Sequence, residues 1–267
     1  MKKPAVDAVV LAGSRPGGDP FADAHDVPVK ALVPVAGQPM LTRLMRSLLD
    51  SPVIDQILVM AQDTAIFAND PGTGWIGTEP RVTLATSAST IAQSLDPLLQ
   101  REETRFPQLI TTADNILLSQ PMIDHFTRAA DGSDIAIAVV ERAVLMHSYP
   151  SSRRTWLKFR GGQYSGANLI YFGSRRARAL LSHWAAVEQD RKKGWKILTI
   201  FGPWLLLLAV ARILTIHQLA ARVGEKQGLG IRIVEMPQAE ACIDVDRMSD
   251  LEMAEHILAD READRQR

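Results

Sequence analysis

The sequence predicts an α/β protein: a doubly wound, mostly parallel sheet of mixed direction in one domain, carrying an inserted apolar helical segment. Three observations predict it. Apolar strand-like runs alternate with helical periodicities through the first 140 residues. The first run, 5–12, is apolar apart from Asp7, as in a strand covered on both faces. It opens into "LAGSRPGGDP", and a second loop follows at "KALVPVAGQPML". In doubly wound sheets, loops at the carboxyl ends of strands are where ligands bind.

The elements follow in order. In 40–50, Leu41, Leu44, Met45, Leu48 and Leu49 share one helical face. Strands are expected at 56–60 and 82–85, a helix at 90–99, and a strand at 107–114 that ends on Asp114. Ser119 and Pro121 stand where a helix begins, and 134–140 reads as the fifth strand. Further on, 154–172 reads as two strands joined by a glycine turn, and 174–193 as a helix. Late strands are expected at 231–236 and 239–246, and a serine-capped, charged helix closes the chain over 247–267. No internal repeat or low-complexity linker divides the 267 residues.

Composition narrows the function. Thirty basic residues balance thirty acidic ones, which argues against a nucleic-acid partner, since such proteins carry a basic excess. A single cysteine, Cys242, excludes an internal disulfide and a multi-cysteine zinc site and fits a cytoplasmic setting. The six histidines show no zinc-ligand spacing. Lys2 and Lys3 precede an apolar run as in a signal peptide, but Asp7 interrupts that run, so no export is expected.

A strand opening into glycines lets backbone N–H groups approach an anion. A P-loop needs lysine and a hydroxyl residue directly after its second glycine, where Asp19 and Pro20 stand. The dinucleotide fingerprint needs glycine where Arg15 stands. The stretch "LAGSRPGG…KALVPVAGQPML" instead resembles the signature of nucleotidyltransferases with a molybdenum-cofactor-guanylyltransferase-like fold, a Rossmann-like architecture. "TTADN" is similar to that family's metal-holding strand end, "SGANLIYF" to its acceptor-side strand, and "IDVDRMSDLEMAE" to its closing segment. "TSASTIAQSL" is a looser match to the segment beside the base.

The resemblance implies a division into an NTP-binding half, 5–140, and an acceptor half, 141–246. It assigns Leu11, Ala12, Gly13, Ser14, Gly17 and Gly18 to the triphosphate, Ser89 and Ser94 to the base side, and catalytic roles to Arg15 and Lys30. Asp114 and Asp246 would hold Mg²⁺, with Asp244 a weaker candidate, and Gly166, Asn168 and Lys158 would meet a phosphorylated small-molecule acceptor. CTP is favoured by analogy with relatives that activate alcohol phosphates. The chemistry is consistent: in-line attack on an α-phosphorus asks the protein for positioning and charge neutralisation. An alternating strand carrying Arg154, Lys158 and Arg160 is expected near the anionic acceptor.

The longer Gly18–Lys30 spacing and the missing R-M-G-x-x-K speak against molybdopterin as acceptor, and the base loop lacks its usual glycine. Two rivals are a glycosyltransferase of the same general fold and a non-catalytic, membrane-associated nucleotide binder. The glycosyltransferase would carry D-x-D mid-chain, where "TAD" stands. Residues 197–216, within an apolar helical segment reaching 222, are broken by Gly202 and Pro203. They read either as a buried or homodimer-contacting helix or as a peripheral membrane contact, with basic "RKKGWK" alongside.

Overall fold

Val6–Leu11 (β1) is an interior strand of the sheet and is nearly all apolar because it is covered on both faces. The computed structural model describes residues 5–14, 17–181, 202, 207–208 and 211–265. After β1 come a helical turn Pro20–Asp23 (α1), a 3-10 turn Lys30–Leu32, and the short antiparallel pair Pro34–Val35 (β2) and Gln38–Pro39 (β3). The chain continues through Met40–Leu49 (α2), Ile54–Ala61 (β4), Ala65–Asn69 (α3), Val82–Thr86 (β5), Ile91–Gln100 (α4) and Gln108–Thr112 (β6). Then follow Gln120–Ala130 (α5), Ile135–Glu141 (β7), Arg142–Ser148 (α6), Leu157–Phe159 (β8) and Gly162–Phe172 (β9). Ile216–Gln227 (α7), Ile231–Glu235 (β10) and Met248–Arg265 (α8) complete the described elements.

The main sheet runs β10-β7-β9-β6-β1-β4-β5, with β8 paired to β9. Only β9 runs against the rest; it is antiparallel to β6, β7 and β8, while the other main-sheet pairs are parallel. The expected mixed, mostly parallel α/β sheet is therefore what the chain forms. Its carboxyl edge collects the ends of β1, β4, β5, β6 and β7 together with the start of β9.

Helix packing follows the predicted stripe. Leu41, Leu44, Met45 and Leu48 of α2 are fully buried in the core that also takes Phe126 of α5 and Ala254 of α8. Each large apolar side chain buried this way contributes about 1.5–3 kcal/mol relative to exposure. A second cluster on the opposite face joins Val9 and Ile110 to Leu95 and Leu99 of α4 and to Leu181.

Several expectations need correction. Residues 239–246 form no strand: Ala239–Cys242 is a 3-10 turn, and Ala241, Cys242 and Ile243 are buried consecutively, without the alternation a one-sided strand would show. Ser249 does not cap the last helix, because that helix already begins at Met248; Asp250 instead reaches back to accept from the Asp246 N–H. Strand β6 ends at Thr112, which leaves Asp114 in the turn beyond it. The helix expected over 174–193 is described only to 181 and begins as a 3-10 turn, Arg175–Ala177. Most of 197–216 lies outside the described residues. Among the described residues no helix is long and apolar enough to cross a membrane.

Candidate active site

At the end of β1 the chain turns through Gly13 and Ser14 toward Gly17 and Gly18, whose φ values of 101° and 85° favour glycine. Asp19 then caps α1 by accepting from the Phe21 N–H, with Pro20 in the first helical position. The two residues that break the P-loop pattern thus start a helical turn. Arg15 lies outside the described residues.

A cleft of about 500 Å³ opens at the carboxyl edge. It is lined by Leu11, Ala12, Gly13, Ser14, Gly18, Lys30, Ser89, Ser94, Asp114 and Asp246, so ten of the predicted residues, drawn from five separate segments, converge on one cavity. Gly17 is not among its lining residues; a Cβ there would meet only open space. Ser94 is buried and accepts from the Ala88 N–H at 2.9 Å while donating to the Thr90 carbonyl at 2.8 Å. Its hydroxyl therefore shapes the 88–90 wall. Ser89 donates to Gln93 at 2.8 Å.

Gln62, just past β4, was not singled out by sequence reasoning. Its Oε1 accepts from the Ser14 N–H at 2.9 Å, and its Nε2 donates to the carbonyls of Ser14 at 3.0 Å and Ala88 at 3.4 Å. It ties the glycine-rich turn to the 88–90 wall, and a Cβ on Gly13 would come within 2.6 Å of its Oε1. A polar residue ending an otherwise apolar strand, "ILVMAQ", was the available signal.

On the cleft floor stands an acidic group. Single carboxylate oxygens of Asp114, Asp244 and Asp246 lie within 4.8 Å of one another. Two backbone links assemble them: Ala113 donates to the Leu11 carbonyl at 3.0 Å, and Val245 donates to the Asp114 carbonyl at 3.3 Å. Buried Asn115 fastens the same turn to β9 through the Ala167 carbonyl. Lys30 Nζ lies 2.6 Å from Asp114 Oδ2 and also meets Asp246. Burial works against the Lys30 charge, but the two carboxylates outweigh it and hold the ammonium above the ordinary lysine range.

Asp244 faces the other way, into protein. Arg154 binds its carboxylate and its carbonyl, the latter at 3.0 Å, and reaches Asp250 at 3.3 Å. Asn168, held at φ 48°, donates to Asp244 Oδ2 at 3.1 Å. Burial pushes the Asp244 carboxyl above its usual range; Arg154 opposes this, and Asp114 and Asp246 add to it. The sequence places Arg154 on an alternating strand near an anionic acceptor. Its side chain is only 9% exposed and its terminal nitrogens are engaged beneath the acidic group, while the segment before β8 pairs with no strand. Arg160 likewise binds Gln218 at 3.2 Å. Of the predicted acceptor residues, Asn168 joins the acidic group, whereas Gly166 and Lys158 do not line the cleft, and Lys158 faces a separate cavity.

Two like charges about 5 Å apart repel by roughly 3 kcal/mol at an effective dielectric constant near 20. Lys30 bridges Asp114 and Asp246 and Arg154 engages Asp244, so three carboxylates meet two cationic side chains there. All-oxygen donors of this kind suit Mg²⁺, which takes one or two carboxylates and completes its shell with phosphate oxygens and water.

A glycine-rich turn, an aspartate in the turn after β6 and a bridging lysine in one cleft are the setting for phosphate chemistry, and residues 8–204 match the MobA-like NTP transferase domain. The chain belongs to this family. It is a nucleotidyltransferase. Among solved structures it resembles a hypothetical transferase from Thermus thermophilus at 22% identity and TM-score 0.76, covering 92% of this chain and 99% of that one. It also resembles 4-diphosphocytidyl-2C-methyl-D-erythritol synthase from Anaerococcus prevotii DSM 20548 at 11% identity and TM-score 0.57, covering 96% and 99%. A third likeness is to CMP:2-keto-3-deoxy-manno-octonic acid synthetase complexed with CTP, at 11% identity and TM-score 0.56, covering 96% and 100%. These likenesses bear on the fold. No curated protein matches the chain.

Proposed function

We propose that this chain transfers the NMP unit of an NTP, with CTP favoured, to a phosphorylated small-molecule acceptor and releases pyrophosphate, in a Mg²⁺-dependent reaction. The observation that carries the reading is Lys30 joined to Asp114 and Asp246 on the floor of a glycine-lined cleft. The preference for CTP is supported by the names of two structural neighbours, one a diphosphocytidyl synthase and one complexed with CTP. A reaction that consumes an NTP also suits the cytoplasm.

The turn at 13–18, with Arg15, takes the β- and γ-phosphates on backbone N–H groups and a guanidinium. For Ser14 this requires its N–H to exchange Gln62 Oε1 for a phosphate oxygen. Lys30 follows the charge that develops at the α-phosphate. Asp114 and Asp246 would hold the metal, which when bound neutralises triphosphate charge. An acceptor phosphate oxygen attacks the α-phosphorus, the α–β P–O bond breaks, and pyrophosphate leaves with that bond's electron pair. No general base is needed, because a phosphate is already anionic at neutral pH.

The test is a thermal-shift and pyrophosphate-release screen crossing four NTPs plus Mg²⁺ with sugar, polyol, amino-alcohol and glycerate phosphates. Stabilisation by CTP, with pyrophosphate released only when an acceptor is present, is the expected result. Absence of stabilisation by every NTP overturns the reading.

A further inference from the structure

A second cavity, of about 310 Å³, lies apart from the nucleotide cleft. It forms where β7 ends, α6 begins and the β8–β9 hairpin folds over, and Arg212 closes one side. Arg142, Lys158 and Arg212 all line it, with Glu141 and Gln163 as polar neighbours and Phe159 as an apolar wall. Among the described residues none of the three cationic side chains makes a hydrogen bond or ion pair. By contrast, Arg81 donates to three carbonyls, Arg175 to four, and Arg178 pairs with Asp96. Three unpaired cations around one cavity repel one another, and Glu141 offsets only part of that charge. Arg212 is also held at φ 55°, a region that side-chain-bearing residues rarely adopt and that recurs at ligand sites.

We infer that this cavity is a second phosphate-binding site, which takes an anionic group at the far end of the acceptor. Two guanidiniums and an ammonium match the several oxygens of a phosphate group. Position supports the link to the acceptor. Gln163 lines the cavity and Asn168, on the same strand, touches Asp244, a separation of about 16 Å at roughly 3.3 Å per residue. An elongated acceptor could place its reacting phosphate at the acidic group and its other end here. That assignment to the acceptor rests on the nucleotidyl-transfer reading; the phosphate site itself does not. The phosphate could belong to a soluble ester or to a lipid headgroup. Leu157 and Ile213, next in the chain to Lys158 and Arg212, are 54% and 50% exposed.

The experiment titrates inorganic phosphate by thermal shift into the wild type, Lys30→Met and the double variant Arg142→Gln/Arg212→Gln. Both arginines are exposed and unpaired, so the double variant should melt like the wild type without phosphate. Its half-saturating phosphate concentration is expected to rise at least about tenfold, while Lys30→Met responds as the wild type does. An unchanged response in the double variant, or a response lost in Lys30→Met alone, overturns the site. Lys158→Gln provides the same comparison if the double variant fails to fold. Co-sedimentation with phosphatidic acid vesicles, against phosphatidylcholine vesicles, separates the sources. Arginine-dependent sedimentation assigns a lipid phosphate, and phosphate binding without sedimentation assigns a soluble ester. Failure of the nucleotidyl-transfer reading appears separately, as no NTP-induced shift in any of the proteins.

Discussion

Lys30 Nζ lies 2.6 Å from Asp114 Oδ2, so residues 84 positions apart in sequence meet on the cleft floor. The contact makes the lysine an internal counter-ion. Replacing it should leave Asp114 and Asp246 facing each other without their shared cation. Lys30→Met is expected to lose about 1–2 kcal/mol of stability and to be restored by Mg²⁺ more strongly than the wild type is stabilised by it. Transfer should fall at least about 100-fold. Calorimetry with and without Mg²⁺, together with pyrophosphate release, checks both parts; equal Mg²⁺ responses in the two proteins would contradict the counter-ion role.

Arg154 is the buried support of the same group. Arg154→Met should cost about 3–5 kcal/mol, since it removes the one cation on the Asp244 carboxylate among the described residues, while Asp250 keeps Arg247 at 3.5 Å. Lysine at 154 supplies charge but no fork, so it should recover only part of the loss. Urea unfolding at neutral pH measures the difference, and a loss below about 1 kcal/mol would show that the clamp contributes little.

Gln62 offers a contrast, because it is exposed and holds loops rather than core. Gln62→Leu should keep the melting temperature within about 2 °C of wild type. It should also raise the KM for NTP about fivefold, because the Nε2 bonds to the Ser14 and Ala88 carbonyls, which hold the turn when the Ser14 N–H faces phosphate, are lost at roughly one net hydrogen bond. An unchanged KM would mean that the glycine-rich turn keeps its shape without this link.

Burial pushes the Cys242 thiol from 9.0 up to about 12, with the Arg154 charge opposing. The folded state therefore retains a proton that the unfolded chain loses first. Stability from this group is complete below pH 9 and declines as pH rises toward 12. At pH 8, native protein should resist iodoacetamide over hours, whereas protein in guanidinium should label fully. Rapid native labelling, read by mass spectrometry, would count against the buried-thiol description.

Much of this site could be read from residue order. Each short motif recruits a strand end, and parallel β1 and β6 must bring their ends to one edge, so Gly13 and Asp114 were predictable companions. What escaped the sequence was pairing between residues far apart in it. Nothing in "RRTW" says that Arg154 turns inward, because its partners lie 90 and 96 positions later, and an interior ion pair looks like a surface charge when read linearly. Gln62 escaped for a related reason: one polar residue after an apolar strand is ordinary until a glycine turn stands above it. The 239–246 stretch misled because "AEACIDVD" has strand-like composition while its burial does not alternate.

Strand β9 runs against its neighbours. A wholly parallel sheet would bring only strand ends to its working edge, but here a strand beginning arrives there too, along with the hairpin that precedes it. That hairpin and α6 contribute to the second cavity, whereas the nucleotide cleft draws on neither. The two cavities can therefore diverge at separate rates. Exchanging residues 142–146 and 157–161 while keeping Arg154 would alter the second and leave both the acidic group and the register of β1, β4 and β6 intact, which makes this chain a candidate scaffold for retargeting by segment exchange.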